Sequence, residues 1–87
     1  MSLIYLKSDS GDTPVLSVID LNLSSVTTIT LGASAFTRPD TYTIIKYSRN
    51  VVGSSANLNI VMEAGSTLTI QSFTINTTTK EVTVTLI

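Results

Sequence analysis

The stretch from Ser66 to Ile87 constrains the fold more than any other part of this chain. Leu68 and Ile70 fall on one side of a period-two pattern, with Thr67, Thr69 and Gln71 on the other. Further on, Val82, Val84 and Leu86 share a face, opposite Glu81, Thr83 and Thr85. Successive residues of a strand point to opposite sides, so this alternation describes two strands with one buried face. Between them, Asn76-Thr77-Thr78-Thr79-Lys80 is polar and of hairpin-loop length. The apolar phase is even at Leu68 and Ile70 but odd at Phe73 and Ile75. One inserted residue accounts for the change, and a β-bulge near Gln71-Ser72 returns Phe73 and Ile75 to the core face.

The rest of the chain follows the same grammar. Ser2–Lys7 is apolar on both sides, as expected of a strand buried on both faces or exchanged with a neighbour. Ser8–Pro14 is a cluster of turn residues. Strands are expected over Val15–Leu23, Val26–Leu31, Thr41–Ser48 and Asn57–Met62, with Tyr42 and Ile44 on one face of the third and Thr43, Ile45 and Tyr47 on the other. Phe36 reads as a core plug, Thr37-Arg38-Pro39-Asp40 as a turn, and Arg49–Asn57 as irregular chain. About seven strands at close spacing, with no sustained helical period, point to an all-β domain spanning residues 1–87. The expected architecture is an antiparallel β-sandwich, jelly-roll-like. A short stack of β-solenoid coils is the alternative, but no repeat of fixed length marks it.

At 87 residues such a domain buries too little surface to be more than marginally stable alone, and with no cysteine it has no disulfides. Hydrophobic residues nevertheless make up 43% and charged residues 13%. So few charges imply a surface clothed in Thr, Ser and Asn, or one covered by further copies, which makes a homo-oligomer the expected state. The five cations, Lys7, Arg38, Lys46, Arg49 and Lys80, are scattered, which argues against a nucleic-acid groove. No apolar run approaches the ~20 residues of a membrane helix. Met1–Lys7 lacks the layout of a signal peptide, so synthesis and use without export are expected. The apolar end at Leu86-Ile87 implies a packed C-terminus.

Catalytic chemistry has little to work with. The sequence holds no histidine to serve as the base of a nucleophilic triad. Of the six carboxylates, Asp9, Asp12, Asp40, Glu63 and Glu81 fall in turns or at strand ends, and Asp20 falls on the polar face of its strand. A non-enzymatic protein without cofactor is the expectation. Asp9-Ser10-Gly11-Asp12 lacks the ligand spacing of an EF-hand loop and reads as an Asx turn rather than a metal site. Tyr47, beside Lys46 and Arg49, is the aromatic best placed to stack on a sugar, although core or subunit packing is the more common use of such residues. Arg38 and Arg49 flank the central strand and suit carboxylates across an interface. The expected contact residues are therefore Leu3, Ile4, Tyr5, Leu6, Arg38, Tyr47 and Arg49.

The segments Leu31–Phe36, Asp40–Ser48 and Val52-Gly53-Ser54 resemble the β-strand units of autotransporter-like and other bacterial surface proteins, and of accessory phage virion proteins. As a compact Thr-rich β protein free of cysteine, the chain is similar to the small cement or decoration proteins of phage capsids. That resemblance implies a homotrimer located on the virion, made in the host cytoplasm, that bridges subunits of the major capsid protein or another virion protein. Its extended N-terminal segment, residues 1–7, would be swapped or laid against a partner. A glycan- or protein-binding module of a tail fibre, and a fragment of a longer fibre, are the other classes that fit.

Overall fold

A computed structural model describes residues 3–6 and 15–87, except for the side chain of Leu3; the Ser8–Pro14 turn and the Asp9–Asp12 segment lie outside the described residues. The described residues form nine strands: β1 (Leu3–Leu6), β2 (Leu16–Val18), β3 (Leu21–Leu23), β4 (Thr27–Leu31), β5 (Thr41–Tyr47), β6 (Val51–Gly53), β7 (Leu58–Met62), β8 (Ile70–Asn76) and β9 (Glu81–Leu86). A single 3-10 turn spans Ser55–Asn57. The protein is all-β, as the alternation predicts. The two strands beyond the expected seven have identifiable sources. The expected strand Val15–Leu23 bends at Ile19-Asp20 and splits into β2 and β3, and the supposedly irregular stretch after Arg49 contains β6.

Pairing is where the expected antiparallel sandwich gives way. Four of the six ladders are parallel: β1 with β4, β4 with β7, β2 with β5, and β3 with β6. Among the described residues antiparallel pairing is confined to β9, which lies between β5 and β8. The sheets are thus β1-β4-β7, β2-β5-β9-β8 and β3-β6. The chain visits these three sheets in the same order twice, β1-β2-β3 and then β4-β5-β6, which is the course of a solenoid coil. It begins a third coil with β7 and then closes with the β8–β9 hairpin in its place. Corners stack as well as strands: Arg49 N donates to Ile19 O at 2.9 Å, and Leu21 N to Asn50 O at 2.9 Å.

One core lies inside all three sheets. Leu21, Leu23, Ile29, Leu31, Ile44, Ile45, Val82, Val84 and Phe36 are fully buried. In register, Ile4 stacks on Ile29 and Ile29 on Ile60, while Leu6 stacks on Leu31 and Leu31 on Met62. The middle member of each stack has no exposure, whereas Ile4, Ile60 and Met62 at the ends are only partly buried. Phe36 plugs the core as expected, its ring edge-on to Tyr42 at 5.1 Å between centroids.

Two bulges set the phase of the four-stranded sheet. On β8 the register shifts between Ile70 and Ser72, which places Phe73 opposite Val84 and Ile75 opposite Val82 on the core side, as the change of apolar phase predicts. A second shift, between Thr43 and Ile45 on β5, corrects the simple alternation expected there. The extra residue Ile44 turns inward together with Ile45, so both are fully buried and Tyr42 and Tyr47 share the inner side. At the end of β6, Gly53 has φ +89°, and a Cβ there would fall 2.2 Å from Leu23 O. Only glycine accepts that backbone and that approach.

Candidate partner-contact surface

Three of the described carboxylates accept hydrogen bonds from backbone N–H groups. Asp40 Oδ1 accepts from Thr41 N at 2.7 Å, Glu63 Oε1 from Ala33 N at 3.0 Å, and Asp20 Oδ1 from Asn50 N at 3.3 Å. Asp20 therefore sits at the corner between β2 and β3 rather than on a strand face. Glu81 lies opposite Lys46 across β5 and β9. Among the described residues no three metal-ligating side chains cluster, and no helix is long and apolar enough to cross a membrane. The asparagines act alike: Asn76 Oδ1 accepts from Thr78 N and Thr79 N, pinning the hairpin loop in which Lys80 adopts φ 58°.

The expected contact residues separate into three groups. β1 pairs with β4 on one side only, and it presents Tyr5 outward at 47% exposure, with Ile4 partly buried. Leu6 is turned into the core, which removes its side chain from any partner surface. Tyr47 is likewise withdrawn: its ring is 5% exposed and its hydroxyl donates to Asn76 O at 3.1 Å. The bulge at Ile44 explains this, because it keeps Tyr47 on the inner face. Arg38 and Arg49 are both exposed, but they flank β5 at opposite ends and form no common site. A seven-residue strand separates them by roughly 20 Å.

Sequence reasoning missed the strand edges themselves. β1 and β7 bound the first sheet, β2 and β8 the second, and β3 and β6 each have one paired side. None of these six strands contains a charged residue or a proline. Among the described residues the only charges carried by strands are Lys46 on β5 and Glu81 on β9, both in the interior of their sheet. Soluble proteins ordinarily guard free edges with Lys, Pro or short irregular strands. Here β2, β3 and β6 are kept short, at three residues each, while the longer edges β1, β7 and β8 carry neither Lys nor Pro. The edge strands also hold exposed apolar side chains, Tyr5, Val52 at 45% and Val61 at 41%.

Three depressions lie beside those edges, one of them, about 400 Å³, along β2, lined by Val18, Ile19, Lys46 and Tyr47. One of about 670 Å³ runs between β7 and β8, lined by Leu58, Ile60, Ile70 and Phe73 with Asn59 and Gln71. It contains no charged group. Another of about 390 Å³ lies over the start of β6, between Val51 and the hairpin residues Thr77 and Lys80, with Arg49 at its rim.

No family model matches the chain, and neither curated proteins nor solved structures provide a match.

Proposed function

We propose that the chain is a non-enzymatic structural protein of a virion, a capsid cement or decoration protein that associates with copies of itself and bridges capsid subunits. The observation that supports this reading best is the distribution of charge over the strands. The longer free edges, β1, β7 and β8, have neither a charge nor a proline and are poorly defended against strand addition and well suited to it. Strand addition needs no reactive side chain. It needs main-chain donors and acceptors held in line by a stiff core, with apolar side chains beside them.

On this reading β1, with Leu3, Ile4 and Tyr5, lies against the major capsid protein or another shell protein. Arg38 and Arg49, at the two ends of β5, meet carboxylates at the rim of that contact. Stability that a small, charge-poor domain lacks on its own is supplied by the neighbours it joins. A glycan-binding module of a tail fibre is the weaker reading, because the tyrosine nominated for stacking is buried.

The test is the mass of the purified chain in solution, measured by size exclusion with light scattering. A stable oligomer is expected, and deletion of residues 2–7 is expected to abolish co-sedimentation with capsid shells. A chain that stays at 9.3 kDa at every concentration tested refutes the assembly reading. So does a deletion that leaves shell binding intact.

A further inference from the structure

We infer that two copies of this chain join end to end about a two-fold axis at the β7–β8 end, with β7 pairing antiparallel to β7 of the second copy. The inference rests on the assembly reading and names the surface that self-association uses.

The argument starts from the heights of the three sheets. The first coil contributes one strand to each, so all three start level at β1, β2 and β3. At the other end they are not level. The β1 sheet is three strands tall, the β2 sheet four and the β3 sheet two. The end is therefore stepped, and the depressions beside β7 and β6 are its treads. The larger has β7 as its floor and β8 as its wall, while the smaller stands over β6 beneath the hairpin loop.

A two-fold axis perpendicular to the stacking direction, lying half a strand spacing beyond β7 and level with its middle residue, turns the β1 sheet onto itself and exchanges the other two. Three strands then meet three, and on each remaining side four meet two. Every side of the pair becomes six strands tall, with no gap and no overlap. The rotation reverses strand direction, so β7 meets β7 antiparallel and each β8 meets β6 of the other copy antiparallel as well. A head-to-tail stack does not fit, because β2 of the incoming copy would need the level that β8 already holds.

Chemistry agrees with shape. A two-fold axis brings identical residues together, which is unfavourable wherever they are charged. The three strands that meet, Val51–Gly53, Leu58–Met62 and Ile70–Asn76, contain no charged residue. Ile60 and Met62, the half-buried members of their stacks at this end, gain cover. This pair takes the place of the trimer that the family resemblance implied.

The absence of cysteine makes the test direct. Val61 points outward and is 41% exposed, so Val61→Cys leaves the fold of each copy intact. With Ile60 level with the axis, the two residue-61 positions are diagonal neighbours, about 7–8 Å apart. Tyr5→Cys is the control. The two copies of β1 stand five strand spacings apart, about 24 Å. A thiol cross-linker spanning about 10 Å, two strand spacings, is expected to give a covalent dimer from Val61→Cys and none from Tyr5→Cys. Asn59→Cys, on the same outward face, carries the test if the first variant folds poorly. Light scattering on the unmodified chain is expected to give twice 9.3 kDa. An oligomer in which Tyr5→Cys cross-links and neither Val61→Cys nor Asn59→Cys does overturns this geometry while leaving the assembly reading standing. A trimer overturns it too, and a strict monomer overturns both.

Discussion

Replacing Ile29 examines the stacked interior at its most enclosed point. Its side chain is fully buried on the central strand β4, with Ile4 in register on one side and Ile60 on the other. Ladders on both sides hold the backbone, so the space left by a smaller residue cannot close. Truncation of a buried isoleucine to alanine costs about 2–5 kcal/mol, and a site that cannot relax belongs to the upper half of that range. At about 0.05–0.15 kcal/mol per residue, 87 residues give roughly 4–13 kcal/mol in all. Ile29→Ala therefore takes a large share of the stability, and Ile29→Val is the more measurable variant, at about 0.5–1.5 kcal/mol. For a domain of this size, 1 kcal/mol lowers Tm by roughly 4–8 °C. Ile4→Val, at the half-buried end of the same stack, is expected to cost less than about 0.5 kcal/mol. Urea unfolding followed by circular dichroism gives all three values by linear extrapolation. Equal losses for Ile29→Val and Ile4→Val, or a loss below about 1 kcal/mol for Ile29→Ala, would refute the stacked arrangement.

Three further outcomes follow from particular contacts. Gly53→Ala places a Cβ against Leu23 O at a positive φ, and the left-handed backbone alone costs about 1–2 kcal/mol; a urea midpoint unchanged from the parent contradicts the close β3–β6 approach. Tyr47→Phe removes a donor from Asn76 O, whose residue is exposed and can turn to water, so a loss of only about 0.5–1.5 kcal/mol is expected in the same assay. Deleting Gln71 takes out the inserted residue and leaves Ile70, Phe73 and Ile75 on one face, whereas deleting Thr74 turns Phe73 and Ile75 to opposite faces. The thermal midpoint should fall much further for the Thr74 deletion, and equal falls would contradict the bulge assignment.

Much of the local structure is legible in the residues because strand alternation is a local property. The change of apolar phase between Ile70 and Phe73 locates the bulge of β8, and Phe36 stands out as a lone aromatic among small residues. Strand direction is not local: a period of two looks the same in parallel and antiparallel ladders. The coils are also uneven. Partners are 25 residues apart at Leu3 and Thr28, 29 at Leu16 and Ile45, 30 at Leu21 and Val51, and 31 at Thr27 and Leu58. A fold that repeats in space need not repeat at a fixed length in sequence, and here it does not. The inward turn of Tyr47 is hidden for a related reason, since Ile44-Ile45 reads equally well as regular strand. The partner surface was only partly legible. Composition shows that charges are few, but which strands lie at an edge is decided by pairing that no short window contains.

The most direct test of association through unguarded edges is amide hydrogen exchange on the whole chain at two protein concentrations. Amides of β6, β7 and β8 are predicted to exchange more slowly at the higher concentration, while those of β4 and β9 stay protected at both and those of β1 do not change. Exchange that is independent of concentration throughout the chain, or slowing confined to β1, would contradict the account.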